Sequence, residues 1–89
     1  MLKPRYKKKF QKDLKKIKKQ GKNLNKIQNI LNSLVNQGSI DRKYLDHPLK
    51  GEYVDCRECH IEPDWLLIYF IEKDVITFIR TGSHAELFK

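Results

Sequence analysis

The sequence predicts an α+β domain. Two N-terminal helices pack on one face of a twisted, mainly antiparallel sheet, in the order strand, helix, helix, strand, strand, strand. Three observations lead there. Two apolar stripes at helical spacing fall between residues 7 and 36. An unbroken run of seven apolar or aromatic residues, Trp65–Ile71, follows later. Helical and strand patterns are also kept apart along the chain, which argues for helices gathered on one side of a sheet rather than alternating with its strands. At 89 residues the chain makes one domain, residues 1–89, with a small core.

Met1–Tyr6 is extended in character, and Pro4 lacks a donor, so a strand here is short or lies at an edge. Lys7–Gln20 reads as a helix whose Phe10, Leu14 and Ile17 form one stripe, with Gly21 placed to end it. Asn23 can cap a second helix, reaching to about Asn36, in which Leu24, Ile27, Ile30, Leu31, Leu34 and Val35 form a wider stripe before Gly38. The short connection makes the two an antiparallel pair whose apolar faces need a partner. Ser39–Gly51 is a loop containing His47-Pro48, and Glu52–Ile61 can be a strand. Trp65–Ile71 is apolar on both faces, Trp65/Leu67/Tyr69/Ile71 and Leu66/Ile68/Phe70, as a covered central strand requires. Glu72-Lys73-Asp74 is a hairpin turn, Val75–Thr81 the last strand, and Gly82–Lys89 a tail too short for a further layer.

The net charge of +8 is unevenly spread. Residues 1–26 hold eleven lysines and Arg5 against one acid, Asp13, while the remainder is net −3. A basic N-terminal third is the footprint of a polyanionic or acidic partner, although a solvated lysine-rich helix has the same composition. Lys7, Lys8, Lys9, Lys12, Lys15, Lys16 and Lys19 are the candidates to grip RNA phosphates. No run of 18 apolar residues exists to cross a membrane, and the N-terminus lacks the apolar core of a signal peptide. A cytoplasmic protein with Cys56 and Cys59 as reduced thiols is expected.

His60-Ile61-Glu62-Pro63-Asp64-Trp65 brings a histidine, carboxylates and the sole tryptophan to one turn. Just before it, Cys56-Arg57-Glu58-Cys59-His60 matches the C-x-x-C-H haem-attachment pattern. Haem of that kind needs export and a second axial ligand, and Met1 is the sole methionine. Zinc is disfavoured too, because odd spacing in a strand points Cys56 and Cys59 to opposite faces. Neither a metal nor a cofactor is expected.

His47, His60 and His84 each lie beside turn-forming or small residues, and none lies on a helix stripe. Histidine gives and takes protons near neutral pH. RNA cleavage uses that property: the 2′-hydroxyl loses a proton, the leaving 5′-oxygen gains one, and a cation such as Arg80 meets the charge on the phosphate. Arg57 and Arg80 fall on strands, where a planar fork suits phosphate oxygens, although Arg57 could equally pair with a nearby acid. Trp65, Tyr53, Tyr69 and Phe88 could stack on unpaired bases, with the two tyrosines equally suited to the core.

Three blocks, Asp46-His47-Pro48-Leu49-Lys50-Gly51, Arg57–Tyr69 and Arg80-Thr81-Gly82-Ser83-His84-Ala85-Glu86-Leu87-Phe88, resemble the YafQ-type toxins, a branch of the RelE/ParE superfamily of bacterial toxin–antitoxin systems. The resemblance runs from Leu2 to Phe88 and is specific in the second half of the chain. It implies a RelE-like fold and a ribosome-dependent mRNA endonuclease that needs no metal. Carried over position by position, it implies a site of His47, His60, Asp64, Trp65, Arg80, His84 and Phe88. In that site His60 and His84 share the acid–base work, His47 supports them, and Asp64 orients a histidine or acts as base. Arg80 meets the phosphate charge, and Trp65 and Phe88 shape the nucleotide pocket. The resemblance also implies a cognate antitoxin, an acidic wrapping segment joined to a DNA-binding domain, with operator DNA bound through the complex. The alternatives are a gyrase-inhibiting toxin of the ParE branch, which lacks this histidine set, and a non-enzymatic basic module that binds RNA or ribosomes.

Overall fold

The fold was analysed in a computed structural model, which describes residues 1–88. Five strands form one mixed sheet in the order β1-β5-β4-β3-β2, with β1 Lys3–Tyr6, β2 His47–Pro48, β3 Arg57–Glu62, β4 Trp65–Glu72 and β5 Val75–Gly82. Helices α1 (Lys8–Lys19) and α2 (Leu24–Gln37) precede the main hairpins, and a short helix α3 (His84–Leu87) ends the chain. The expected α+β architecture is observed, with two additions. His47–Pro48 pairs with β3 as an edge strand, and the tail after Gly82 forms α3. The first strand pairs parallel to the last, so the sheet is mixed rather than wholly antiparallel.

The helices form where the apolar stripes lie. Phe10 and Ile17 of α1 and Ile27, Ile30, Leu31 and Leu34 of α2 are buried against Cys59, Ile61, Trp65, Leu67, Tyr69, Ile76 and Phe78 of the sheet. The Asn23 side chain accepts from the Asn25 N–H at the start of α2, and Gly38 ends it at φ 71°. The strand expected from Glu52 starts later, at Arg57. Gly51–Tyr53 is a 3-10 turn, and Asp55 takes a positive φ that breaks extended backbone.

β4 is the middle strand, as its two apolar faces require. Trp65, Leu67 and Tyr69 face the helices, while Leu66 and Ile68 pack with Leu87, Leu49, Tyr53, Cys56 and Ile79. Although the tail is short, Leu87 of α3 closes this second cluster. α3 exists because of its capping box: Ser83 Oγ accepts from the Glu86 N–H, and Glu86 Oε1 accepts from the Ser83 N–H.

Candidate active site

The second face of the sheet carries the chemistry. In β3, alternation sends Cys59 and Ile61 to the helices and Glu58 and His60 the other way, beside their partners Ile68 and Leu66. β2 sets His47 directly across from Glu58, and the β5–α3 junction brings His84 in from the opposite side. The three histidines form a row centred on His60. Its ring centroid is 5.9 Å from that of His47 and 5.7 Å from that of His84.

A carboxylate serves each end of the row. Glu58 Oε2 lies 3.0 Å from His47 Nε2 and 3.5 Å from His60 Nε2. Glu58 is buried, at 5 % exposure, and its Oε1 has no hydrogen-bond partner among the described residues. A buried carboxylate is costly unless it is paired or put to use. His47 Nδ1 lies 2.7 Å from the Leu45 carbonyl oxygen, so both its ring nitrogens face acceptors. At the other end, Asp64 Oδ1 accepts from the His84 backbone N–H at 2.9 Å and meets His84 Nδ1 at 2.6 Å. Those two bonds, the backbone one foremost, hold the Asp64 carboxyl below its ordinary range. His84 Nε2 makes no hydrogen bond among the described residues.

Arg80, across from Ile68 in the sheet, is half-buried, and Asp13 of α1 holds it. Its Nε donates to Asp13 Oδ2 at 2.7 Å and its Nη2 to Oδ1 at 3.1 Å. This bond raises the guanidinium pKa above its usual value, so the group stays charged. The Tyr53 side chain also lies against the guanidinium. Phe88 is exposed, with its ring 6.5 Å from that of His84 and set edge-on to Tyr53 at 5.7 Å. Beside His60 a cleft of about 570 Å³ opens, lined among others by Lys26, Lys43, Tyr44 and Pro63.

Two expectations are corrected. Trp65 does not reach a substrate: it is fully buried, and its Nε1 donates to Thr81 Oγ1 at 3.0 Å. It shares its strand face with Leu67 and Tyr69, which puts it under the helices with the ammonium of Lys22 over its ring. Arg57 is turned away from the histidines by the same alternation that presents Glu58 and His60. Its Nε donates to Asp46 Oδ1 at 2.5 Å, in a cluster where Tyr69 donates to Asp46 Oδ2. Lys16 pairs with Glu86 of α3 and is exposed, as are Lys7, Lys8, Lys9, Lys12, Lys15 and Lys19.

Cys56 and Cys59 lie in different clusters, as their spacing requires, and burial pushes the Cys59 thiol up to about 12. The donor set that could hold a metal lies elsewhere: one atom each from His47, Glu58 and His60, all within 4.8 Å of one another. Two imidazoles and a buried carboxylate with an unpaired oxygen suit a borderline divalent ion. Glu58 was the residue missed by sequence reasoning. Its place two residues before His60 in a strand, hence on the same face, was the available signal.

Similar proteins bear on this site. The family model described as the bacterial toxin of type II toxin–antitoxin system, YafQ, matches residues 2–89. The mRNA interferase toxin YafQ of Escherichia coli (strain K12) is 40% identical over 80 residues, covering 89% of this chain and 87% of that protein. Among solved structures, YafQ in the E. coli DinJ-YafQ complex superposes with a TM-score of 0.93 at 37% identity over the whole of both chains. A metal-bound toxin from Helicobacter pylori superposes with a TM-score of 0.90 at 43% identity, covering 99% of this chain and 100% of that one.

Proposed function

The chain belongs to the YafQ family of bacterial type II toxin–antitoxin toxins, and on that premise we propose that it is an mRNA endonuclease that cuts messages on the ribosome by metal-independent acid–base chemistry. The observation that carries this reading is the row of His47, His60 and His84 with a carboxylate at each end. Two proton carriers less than 6 Å apart can flank one phosphodiester.

The roles follow from the hydrogen bonds. His60, beside the Glu58 carboxylate, takes the proton of the ribose 2′-hydroxyl. The freed oxygen attacks the adjacent phosphorus and the bond to the 5′-oxygen breaks. His84, held at Nδ1 by Asp64, presents Nε2 and gives its proton to that 5′-oxygen. The products are a 2′,3′-cyclic phosphate and a 5′-hydroxyl. His47, with acceptors at both nitrogens, is held in place beside His60 and supports it. Arg80 Nη1 meets the charge growing on the phosphate, and Phe88 stacks on a base beside it.

The exposed lysines Lys7, Lys8, Lys9, Lys12, Lys15 and Lys19 bind ribosomal RNA phosphates, an attraction that falls steeply with salt. A cognate antitoxin neutralises the chain through an acidic segment, and its DNA-binding domain carries the complex to operator DNA. The protein works in the cytoplasm.

The test is to map message ends in a translating extract with the wild type, His84→Ala and His60→Ala. Cuts within translated message from the wild type, lost in both variants, support the reading. Translation blocked equally by all three with intact message sinks it, and a block traced to DNA gyrase moves the chain to the ParE branch.

A further inference from the structure

Helix α1 carries two charged residues that pair with the C-terminal part of the chain. Asp13, the single acid among the first 26 residues, is largely buried. Besides its two bonds from Arg80, its Oδ2 accepts from the Thr81 N–H at 3.1 Å. Lys16 lies three residues on, on the same side of the helix, and pairs with Glu86. Glu86 in turn caps α3, whose first residue is His84. One face of α1 thus holds both the guanidinium of Arg80 and the helix that presents His84.

We infer that Asp13 and Lys16 are positioning residues, a two-point clamp by which α1 sets Arg80 and His84 relative to the sheet-borne His60. The inference rests on the catalytic reading above. Asp13 occupies Nε and Nη2 of Arg80, which fixes the plane of the guanidinium and leaves Nη1 outside the Asp13 contact. The Thr81 N–H bond to the same carboxylate locks the backbone beside it, so the fork cannot swing. Lys16 acts one step further out, holding the capping residue of a helix of four residues that has little stability of its own. Displacement of catalytic groups by as little as about 1 Å costs on the order of a hundredfold in rate. The clamp therefore acts on the chemical step and leaves RNA affinity to the exposed lysines.

Single-turnover cleavage of an mRNA bound on ribosomes separates the two contributions. Wild type, Asp13→Asn, Asp13→Glu, Lys16→Glu and Lys16→Arg are compared, with thermal melts of each. The expected result is a rate at saturating substrate lowered about tenfold or more in Asp13→Asn, with half-saturation nearly unchanged. Asp13→Glu retains most of the rate. Lys16→Glu lowers it about threefold or more, whereas Lys16→Arg, which keeps the cation, retains most of it. If Asp13→Asn fails to fold, the Lys16 variants decide alone. A rate within twofold of wild type in folded Asp13→Asn, a loss confined to half-saturation, or equal losses in Lys16→Glu and Lys16→Arg overturns the clamp. An inactive wild type would instead overturn the catalytic reading on which it rests.

Discussion

Asp64 grips His84 twice, accepting from its backbone N–H at 2.9 Å and meeting its Nδ1 at 2.6 Å. The double contact fixes the tautomer and the ring plane together, so Nε2 is the atom offered to a leaving group. Asp64→Asn should keep the fold yet present an amide that can donate to Nδ1 and favour the wrong tautomer. The cleavage rate should fall by about 10²–10⁴-fold, close to the loss in His84→Ala, with the melting temperature unchanged. A double variant no slower than either single one would confirm that the two residues act as a unit, and full additivity in single-turnover assays would refute it.

This pairing was partly visible in the sequence, because Asp64 and His84 both stand at turns that a sheet can bring together. The helices and the central strand were also legible, since their periodicities are local. What was hidden depends on neighbours in space. The parallel pairing of Lys3–Tyr6 with Val75–Phe78 joins the two ends of the chain, and no local pattern encodes it. Trp65 was misassigned because an aromatic at a turn suggests stacking, although its alternation with Leu67 and Tyr69 pointed to the core. The helix at His84–Leu87 was legible in Ser83-His84-Ala85-Glu86, a capping box, but its length argued against it. The lone acid Asp13 amid lysines was the one sign that α1 has a second duty.

Glu86 should mark the acid limit of the fold. Its carboxyl, bonded by Lys16 and then by the Ser83 N–H, is depressed to about 2 from an ordinary 4.5. A depressed carboxyl contributes stability that is complete above its unfolded pKa and lost as pH falls through the folded one. Its share is therefore present above about pH 4.5 and lost by about pH 2. Urea melts between those limits should show a steeper loss in wild type than in Glu86→Gln, and the two curves should converge at the acid end. Parallel curves across the window would show that the Lys16–Glu86 contact carries no net stability.

Trp65 and Phe88 should separate stability from catalysis. Trp65→Phe removes the Nε1 bond to buried Thr81 and leaves space under the helices, at a cost of about 1–3 kcal/mol. Cleavage by the folded fraction should be unaffected. Phe88→Ala, at an exposed ring beside His84, should leave the melt unchanged and lower kcat/KM about tenfold, in line with one lost stacking contact of about 1–3 kcal/mol. The reverse pattern would return Trp65 to the substrate pocket.

A divalent ion should compete with the reaction rather than serve it. His47, Glu58 and His60 offer three donor atoms within 4.8 Å, and Glu58 Oε1 is an unpaired buried oxygen that a cation would satisfy. An ion bound there takes the lone pair His60 needs to accept a proton, and its ligands must be deprotonated to hold it. Copper or zinc should therefore raise the melting temperature through the bound state while lowering cleavage. Glu58→Gln should weaken that binding about tenfold or more, since the carboxylate is the sole anionic donor of the three. Removing bound transition metal from the protein with a selective chelator, with magnesium kept for the ribosome, should leave the wild-type rate unchanged or raise it. Cleavage that disappears on chelation and returns with the ion would show that the metal takes part in the chemistry, and His60 would then be its ligand instead of the base.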